Sequence, residues 1–377
     1  MFMMQESGRS DFSVEKYDSL LLLGDISLNN EYIKLHYEKA KPFSGLKEYL
    51  GVNSFKIGNL ECLCEGHDGE NELKKPRLKT TYNTLDFLTD ISLNCVTVAH
   101  NHVYDNLLSG FNRTTEKLEE LGIDYIGATT YDKPSKDYFS RVLIINDVKV
   151  GLLNYVTEDT NPCLPSDCKL MLSTFNHDDA VKHINQLKLV CDFVVLLMHW
   201  GGKVEHSYYP DSAQISIAHS LIDAGANVII GHHSHTVQPI EPYKGGLVFY
   251  SLGNFCFSDI VFGGKTIHLD WGRNSESLIV RLYFTENAIS YDLTTSKNSR
   301  NFINIDQNLL LKFKFRSFVF KYLLSVPWFL NIYHTVERKL YPIYRHFFGT
   351  PGNYWNKIVY TIFKIINKRT HMTGKES

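Results

Sequence analysis

Five apolar runs in this chain end in residues able to bind a metal ion, and that pattern restricts the fold more than any other feature. The runs are SLLLLGD (residues 19–25), SFKIGNLE (54–61), NCVTVAHNH (94–102), DFVVLLMHWG (192–201) and NVIIGHHSH (227–235). Short apolar runs bounded by turn signals read as central strands. Helical patterns fall between them. SGFNRTTEKLEELG follows the His102 loop and closes on Gly122. In DSAQISIAHSLIDAG, Asp211 and Gln214 have capping-box spacing, Ile215, Ala218 and Ile222 share a face, and Gly225 supplies the stop. Strands alternating with helices predict an α/β architecture with parallel neighbours. RVLIINDVKVGLLNYV reads as a hairpin about Asn146-Asp147, and LVFYSLGNF, SLIVRLYF and AISYDLTTS read as a β-rich end.

In open α/β sheets, ligands bind beyond the carboxyl ends of the strands. Here those ends offer Asp25, Glu61, Asn101, His199, and the pair His233 and His235. Oxygen donors mixed with imidazoles suit Mn, Fe or Zn better than calcium or a thiolate site. Taken singly, each residue has a plainer reading: Asp25 and Asn101 as turn residues, His199 beside Trp200 as a core histidine. His232, His233 and His235 resist it, because three titratable rings at one turn are costly to bury without partners. As a set at predicted strand ends, these residues read as a metal site.

Composition narrows the rest. A chain of 377 residues can bury a large core, as one big domain with an appendage or as two domains. The net charge of −2 hides a split: from Arg300 onward there are 13 Lys and Arg against 3 Asp and Glu, leaving 26 against 38 before it. Two regions with different surroundings are expected, divided as residues 17–298 and 299–377. The seven cysteines are scattered with no paired CxxC knuckles, which speaks against a zinc ribbon and for reduced thiols. MFMMQESGRSDF lacks a basic stretch followed by an apolar one, so the expected location is cytoplasmic.

The order of motifs resembles the capsule-synthesis CapA family (poly-γ-glutamate capsule proteins), a branch of the calcineurin-like metallophosphoesterases. The matching stretches are LLGDISL, GNLEC, VAHNHVYDN, LLMHWGGKVE, YPDSAQISIAHSLIDAGANVIIGHHSHTVQPIE and YSLGNFCFS, within residues 20–291. The resemblance implies a four-layer α/β/β/α sandwich of two mixed sheets, holding one or two divalent ions (Mn, Fe or Zn). Asp25 would hold the first metal and Glu61 would bridge. Asn101, His199 and His233 would hold the second, and His235 would return to the first. His102 matches the histidine that metallophosphoesterases use as a general acid. His100, Glu205, His232 and Asn254 would contact substrate or support the ligands. This sequence departs from the pattern at three places. Ser27 replaces the histidine two residues after the first aspartate, leaving that metal one ligand short. His100 stands where Asn is usual, and Glu205 lies two residues later than expected after HWG.

From Phe302, Lys and Arg alternate with Phe, Tyr and Trp, and the run 317–333 contains Lys321 and Pro327 and is short for a membrane span. Two readings stand: a helical extension lying on an anionic membrane surface at its inner face, or helices packed on the acidic domain. No nucleic-acid motif accompanies the charge, so nucleic acid is not an expected partner. The expected partner is an anionic polymer or phosphorylated substrate. The implied function is a metal-dependent hydrolase or transferase in capsule or surface-polymer synthesis. The alternatives are a non-catalytic, metal-stabilised accessory subunit and a general phosphomonoesterase or phosphodiesterase.

Overall fold

SLLLLGDIS is buried along its whole length, because its strand is covered on both faces. A computed structural model of the chain describes residues 17–340, apart from 136, 268, 270, 271 and 325. In it, β1 (Ser19–Ser27), β2 (Ser54–Leu60), β3 (Cys95–Thr97) and β4 (Asp124–Ile126) run parallel as consecutive neighbours. Then come the hairpin β5 (Ser140–Ile145) and β6 (Val148–Val156), and β7 (Phe193–His199) and β8 (Val228–His232). Next are β9 (Ile240–Tyr243), β10 (Gly246–Phe249) and β11 (Asn254–Phe257), and last β12 (Glu276–Thr285), β13 (Ala288–Ser299) and β14 (Phe302–Ile305).

Two mixed sheets result. One is eight-stranded, in the order β14-β13-β12-β1-β2-β3-β4, with β11 also paired to β1; the other is six-stranded, in the order β9-β10-β8-β7-β6-β5. Alternation along each strand assigns its two faces. Leu20, Leu22, Phe55 and Ile57 pack with Leu152, Val195, Leu197 and Ile230 of the second sheet, so the sheets share an inner core. Leu21 and Leu23 point the other way, into a cluster with Tyr32 and Leu35 of α1 (Glu31–Tyr37) and Phe111 and Leu118 of α2 (Leu107–Glu120). On the second sheet, a Cβ on Gly151 would stand 3.0 Å from Leu187 at the end of α3 (His177–Leu187). One on Gly246 would stand 2.7 Å from Ile222 of α4 (Ser212–Asp223). This is the expected four-layer α/β/β/α sandwich.

Local signals account for the boundaries. The Asp211 carboxylate accepts from Gln214 N at 2.8 Å while Gln214 Oε1 accepts from Asp211 N at 3.1 Å, a complete capping box opening α4. Gly225 N and Ala226 N close it on the carbonyls of Ile222 and Leu221. Asn146 and Asp147 take φ of 50° and 65°, as a two-residue hairpin turn requires. Two stretches differ from their sequence reading. β3 stops at Thr97, so His100 to His102 stand on a loop. LVFYSLGNF is two strands in different sheets: β10 ends at Phe249, and Tyr250 to Gly253 carry the chain across to β11.

The first compact unit runs through β14 and α5 (Asn308–Leu324) to Val326. On α5, Leu309, Phe313, Phe320 and Leu323 form the buried side, and Arg316 reaches Glu276 at 3.0 Å and the Val237 carbonyl at 3.0 Å. α6 (Pro327–Thr335) and the turn Val336–Leu340 belong to the second unit. The basic, aromatic-rich stretch that begins at Phe302 continues past residue 340, outside the described residues. No described helix is long and apolar enough to cross a membrane.

Candidate metal centre

The strand ends deliver their side chains to one place. Asp25 lies two residues before the end of β1, Glu61 follows β2, and His199 and His232 close β7 and β8. Asp25 can sit beside Asn254 only because two glycines let the backbones touch. Asp25 N donates to Gly253 O at 2.9 Å, and a Cβ on Gly24 would come within 2.0 Å of that oxygen. Gly253 itself has φ of +70°. After β8, His233 and His235 take φ of 88° and 53°, a left-handed conformation costly for such side chains.

Two donor groups form, each with its ligand atoms within 4.8 Å of one another: Asp25, Glu61 and His235, and Glu61, His199 and His233. Glu61 belongs to both. Both of its carboxylate oxygens and both ring nitrogens of His233 are buried without a hydrogen-bond partner among the described residues. Buried polar atoms are otherwise almost always paired, so this orphaned set fits a pair of divalent cations. Asn101 Oδ1 stands 2.9 Å from His199 Nε2, which brings the amide into the second group. Glu205 Oε1 lies 3.3 Å from His206 Nε2 and 3.9 Å from His235 Nε2, beside the first group but outside its cluster of ligand atoms. The Ser27 hydroxyl donates to Asn29 at 2.9 Å within its own turn.

A ring of partners orients these groups. Asn254 Nδ2 donates to the Asn274 carbonyl, which turns Oδ1 towards His235 Nδ1 at 2.8 Å. His235 Nδ1 therefore carries the proton, and the Nε2 lone pair, 3.7 Å from Glu61 Oε1, is left to bind a cation held between them. His232 Nδ1 lies 3.1 Å from Asp25 Oδ1, a supporting contact rather than a ligand position. Asn59 Nδ2 donates to Asp25 at 2.9 Å and approaches His199 Nδ1 at 3.3 Å, while its Oδ1 accepts from Thr97. His102 Nδ1 donates to Asp105 Oδ2 at 2.6 Å, and the His102 backbone N–H donates to His100 Nδ1 at 3.1 Å. His100 is wholly buried.

The electrostatics suit a site that binds divalent cations. Burial, with Asp25 and Glu205 nearby, pushes Glu61 well above the usual carboxylate range. Burial pushes His233 down to about 4, and burial with the neighbouring imidazoles holds His199 well below the usual imidazole range. On Asp25 burial pulls upward, but His232, His235 and Asn59 outweigh it and hold the carboxyl low. On Glu205 burial is likewise outweighed, by His233, His206, His235 and His102, leaving it at about 2. Neutral imidazoles and crowded carboxylates form a donor set that divalent ions stabilise.

Sequence reasoning missed Asn59, Thr97, Asp105, Asn274 and Lys74. Asn59 was within reach, since it shares the parity of Glu61 on a strand of period two. The others become partners only through tertiary structure.

Residues 19–259 match the family model described as bacterial capsule synthesis protein PGA_cap. A capsule biosynthesis protein CapA of Bacillus anthracis is 26% identical over 279 residues, covering 72% of this chain and 64% of that one. A PGA biosynthesis protein CapA of Bacillus subtilis (strain 168) is 26% identical over 307 residues, covering 76% and 74%. Among solved structures, a 5'-nucleotidase precursor from Thermus thermophilus aligns at 14% identity and a TM-score of 0.42, over 78% of this chain and 58% of that one. That likeness is too distant to bear on activity.

Proposed function

This chain belongs to the bacterial capsule synthesis PGA_cap family, and from that premise we propose that it is a metal-dependent hydrolase or transferase acting on an anionic surface polymer or a phosphorylated precursor of one. The observation that carries this reading is Glu61: a carboxylate with two orphaned, fully buried oxygens at the junction of two donor groups. Mn, Fe or Zn suits that mixture of imidazole and oxygen donors. Asp25, Glu61 and His235, with Glu205 beside them, would hold one ion, and Glu61, Asn101, His199 and His233 the other. Bound there, such ions stabilise charge developing on substrate oxygens and supply an activated water. The chain itself supplies the proton. Asp105 accepts from His102 Nδ1 and so orients the ring, and the imidazolium form passes its Nε2 proton to the departing oxygen as general acid, leaving the neutral imidazole with its proton on Nδ1.

The test is turnover on a panel of phosphomonoesters, phosphodiesters and γ-linked glutamate oligomers with added Mn²⁺. Wild type is expected to turn over at least one, and His102→Ala to lose about 10²- to 10⁴-fold with metal retained. Equal rates in both proteins would remove His102 from the mechanism. A second reading rests on Ser27, whose hydroxyl is engaged with Asn29 where a ligand is usual. A first site weakened in this way suits an accessory subunit of a synthesis or export complex, which would show bound metal and no turnover on any substrate.

The outer side of α5 supports a peripheral place at the inner face of a membrane. Leu311, Lys314, Phe318, Lys321 and Tyr322 are exposed at helical spacing, interleaving apolar surface with positive charge.

A further inference from the structure

Lys74 is an ammonium group that is only 5% exposed. Its Nζ donates to the Asn161 carbonyl at 2.7 Å. Among the described residues it makes no ion pair, so two of its three donors have no partner. A buried charge left in that state is expensive. Its loop is held firmly in place. Leu78 N donates to Asp105 Oδ2 at 2.7 Å, the oxygen that also receives His102 Nδ1, and Asn71 N donates to the Asp105 carbonyl at 2.8 Å. On the far side Asn71 Nδ2 donates to the Cys163 carbonyl at 2.9 Å. The loop thus fastens Lys74 beside the His102–Asp105 pair, within electrostatic reach of Glu61 and Glu205.

We propose that Lys74 is the anion-binding residue of the substrate subsite, taking a phosphoryl or carboxylate oxygen next to the group that His102 protonates. This rests on the metal-centre reading above. With the ligand imidazoles neutral, Asp25, Glu61, Asp105 and Glu205 balance two divalent ions, so Lys74, with the proton that His102 carries as general acid, leaves the loaded site in positive excess. Only an anionic ligand neutralises it. An ammonium is a compact donor of three hydrogen bonds, suited to an oxyanion without demanding bidentate geometry.

The experiment measures binding of inorganic phosphate and of glutarate to the Mn²⁺-loaded full chain, wild type against Lys74→Met, with metal content and melting temperature recorded for both. Unchanged Mn²⁺ content with about 10- to 100-fold weaker binding of either anion is expected. Loss of phosphate affinity alone identifies a phosphoryl ligand, and loss of glutarate affinity alone a carboxylate. Affinities within twofold of wild type overturn the proposal. So does a variant that loses metal but binds both anions normally at saturating Mn²⁺, because Lys74 would then merely offset the carboxylates. Wild type that binds neither anion overturns it as well. Should Lys74→Met not fold, acylation of Lys74 in wild type decides the matter: phosphate or glutarate must slow it, and no protection refutes the subsite. Wild type that takes up no Mn²⁺ defeats the metal-centre reading instead, and the protection assay on the metal-free chain then judges Lys74 separately.

Discussion

Asn254 shows how the site works at the scale of a residue. Its amide is pinned by the Asn274 carbonyl and so dictates which nitrogen of His235 is free. Asn254→Ala should leave the fold intact and weaken Mn²⁺ binding by about 10- to 100-fold, measured by competition with a chelator. Affinity unchanged in that variant would mean that His235 is not oriented this way. Acid should act in the same direction. Glu61 must shed a proton that burial makes it hold, and His199 and His233 must stay neutral to ligate. The proton that burial keeps on Glu61 competes with metal, so Mn²⁺ affinity should fall from pH 7 to pH 5. His233, held at about 4, stays neutral in that range and competes only at lower pH, and the lowered His199 behaves in the same sense. The ligand candidates were legible in the sequence because metals accept few donor types and strand ends present them. The partners were not. Asn59 joins Asp25 to His199, 140 positions away from it, through a meeting of two sheets that no local pattern records.

At the scale of elements, legibility followed the locality of the cause. The capping box, the stop at Gly225 and the turn at Asn146-Asp147 are decided within a few residues, and all three were readable. The break in LVFYSLGNF was not, because it depends on which sheet each half joins. Asp211→Ala should cost about 1 kcal/mol, read by urea denaturation, without changing metal content. Gly24→Ala should do more. Its new methyl meets the Gly253 carbonyl, a backbone atom that cannot swing aside, so both stability and metal content should fall. A Gly24→Ala protein with normal metal content would mean that the close approach of β1 and β11 does not set the position of Asp25.

At the scale of the whole molecule, two sheets with helices outside gather distant strand ends into one donor cluster. That gathering is what turns residues dismissible one by one into a site. The charge split has its own consequence for the exposed side of α5. The full chain should sediment with anionic vesicles at low salt and release at high salt, and Lys314→Glu with Lys321→Glu should weaken it severalfold. Vesicles ignored by wild type at low salt would contradict a membrane-facing role for this helix.

Whether Glu61 is shared by two cations is tested most directly by elemental analysis of protein purified without added metal, wild type beside Glu61→Gln. One to two equivalents of Mn, Fe or Zn are expected in wild type, with a loss from both sites in the variant, since neither donor group is complete without that carboxylate. Wild type that stays empty after metal is supplied, or Glu61→Gln that keeps the full wild-type content, would contradict the shared role.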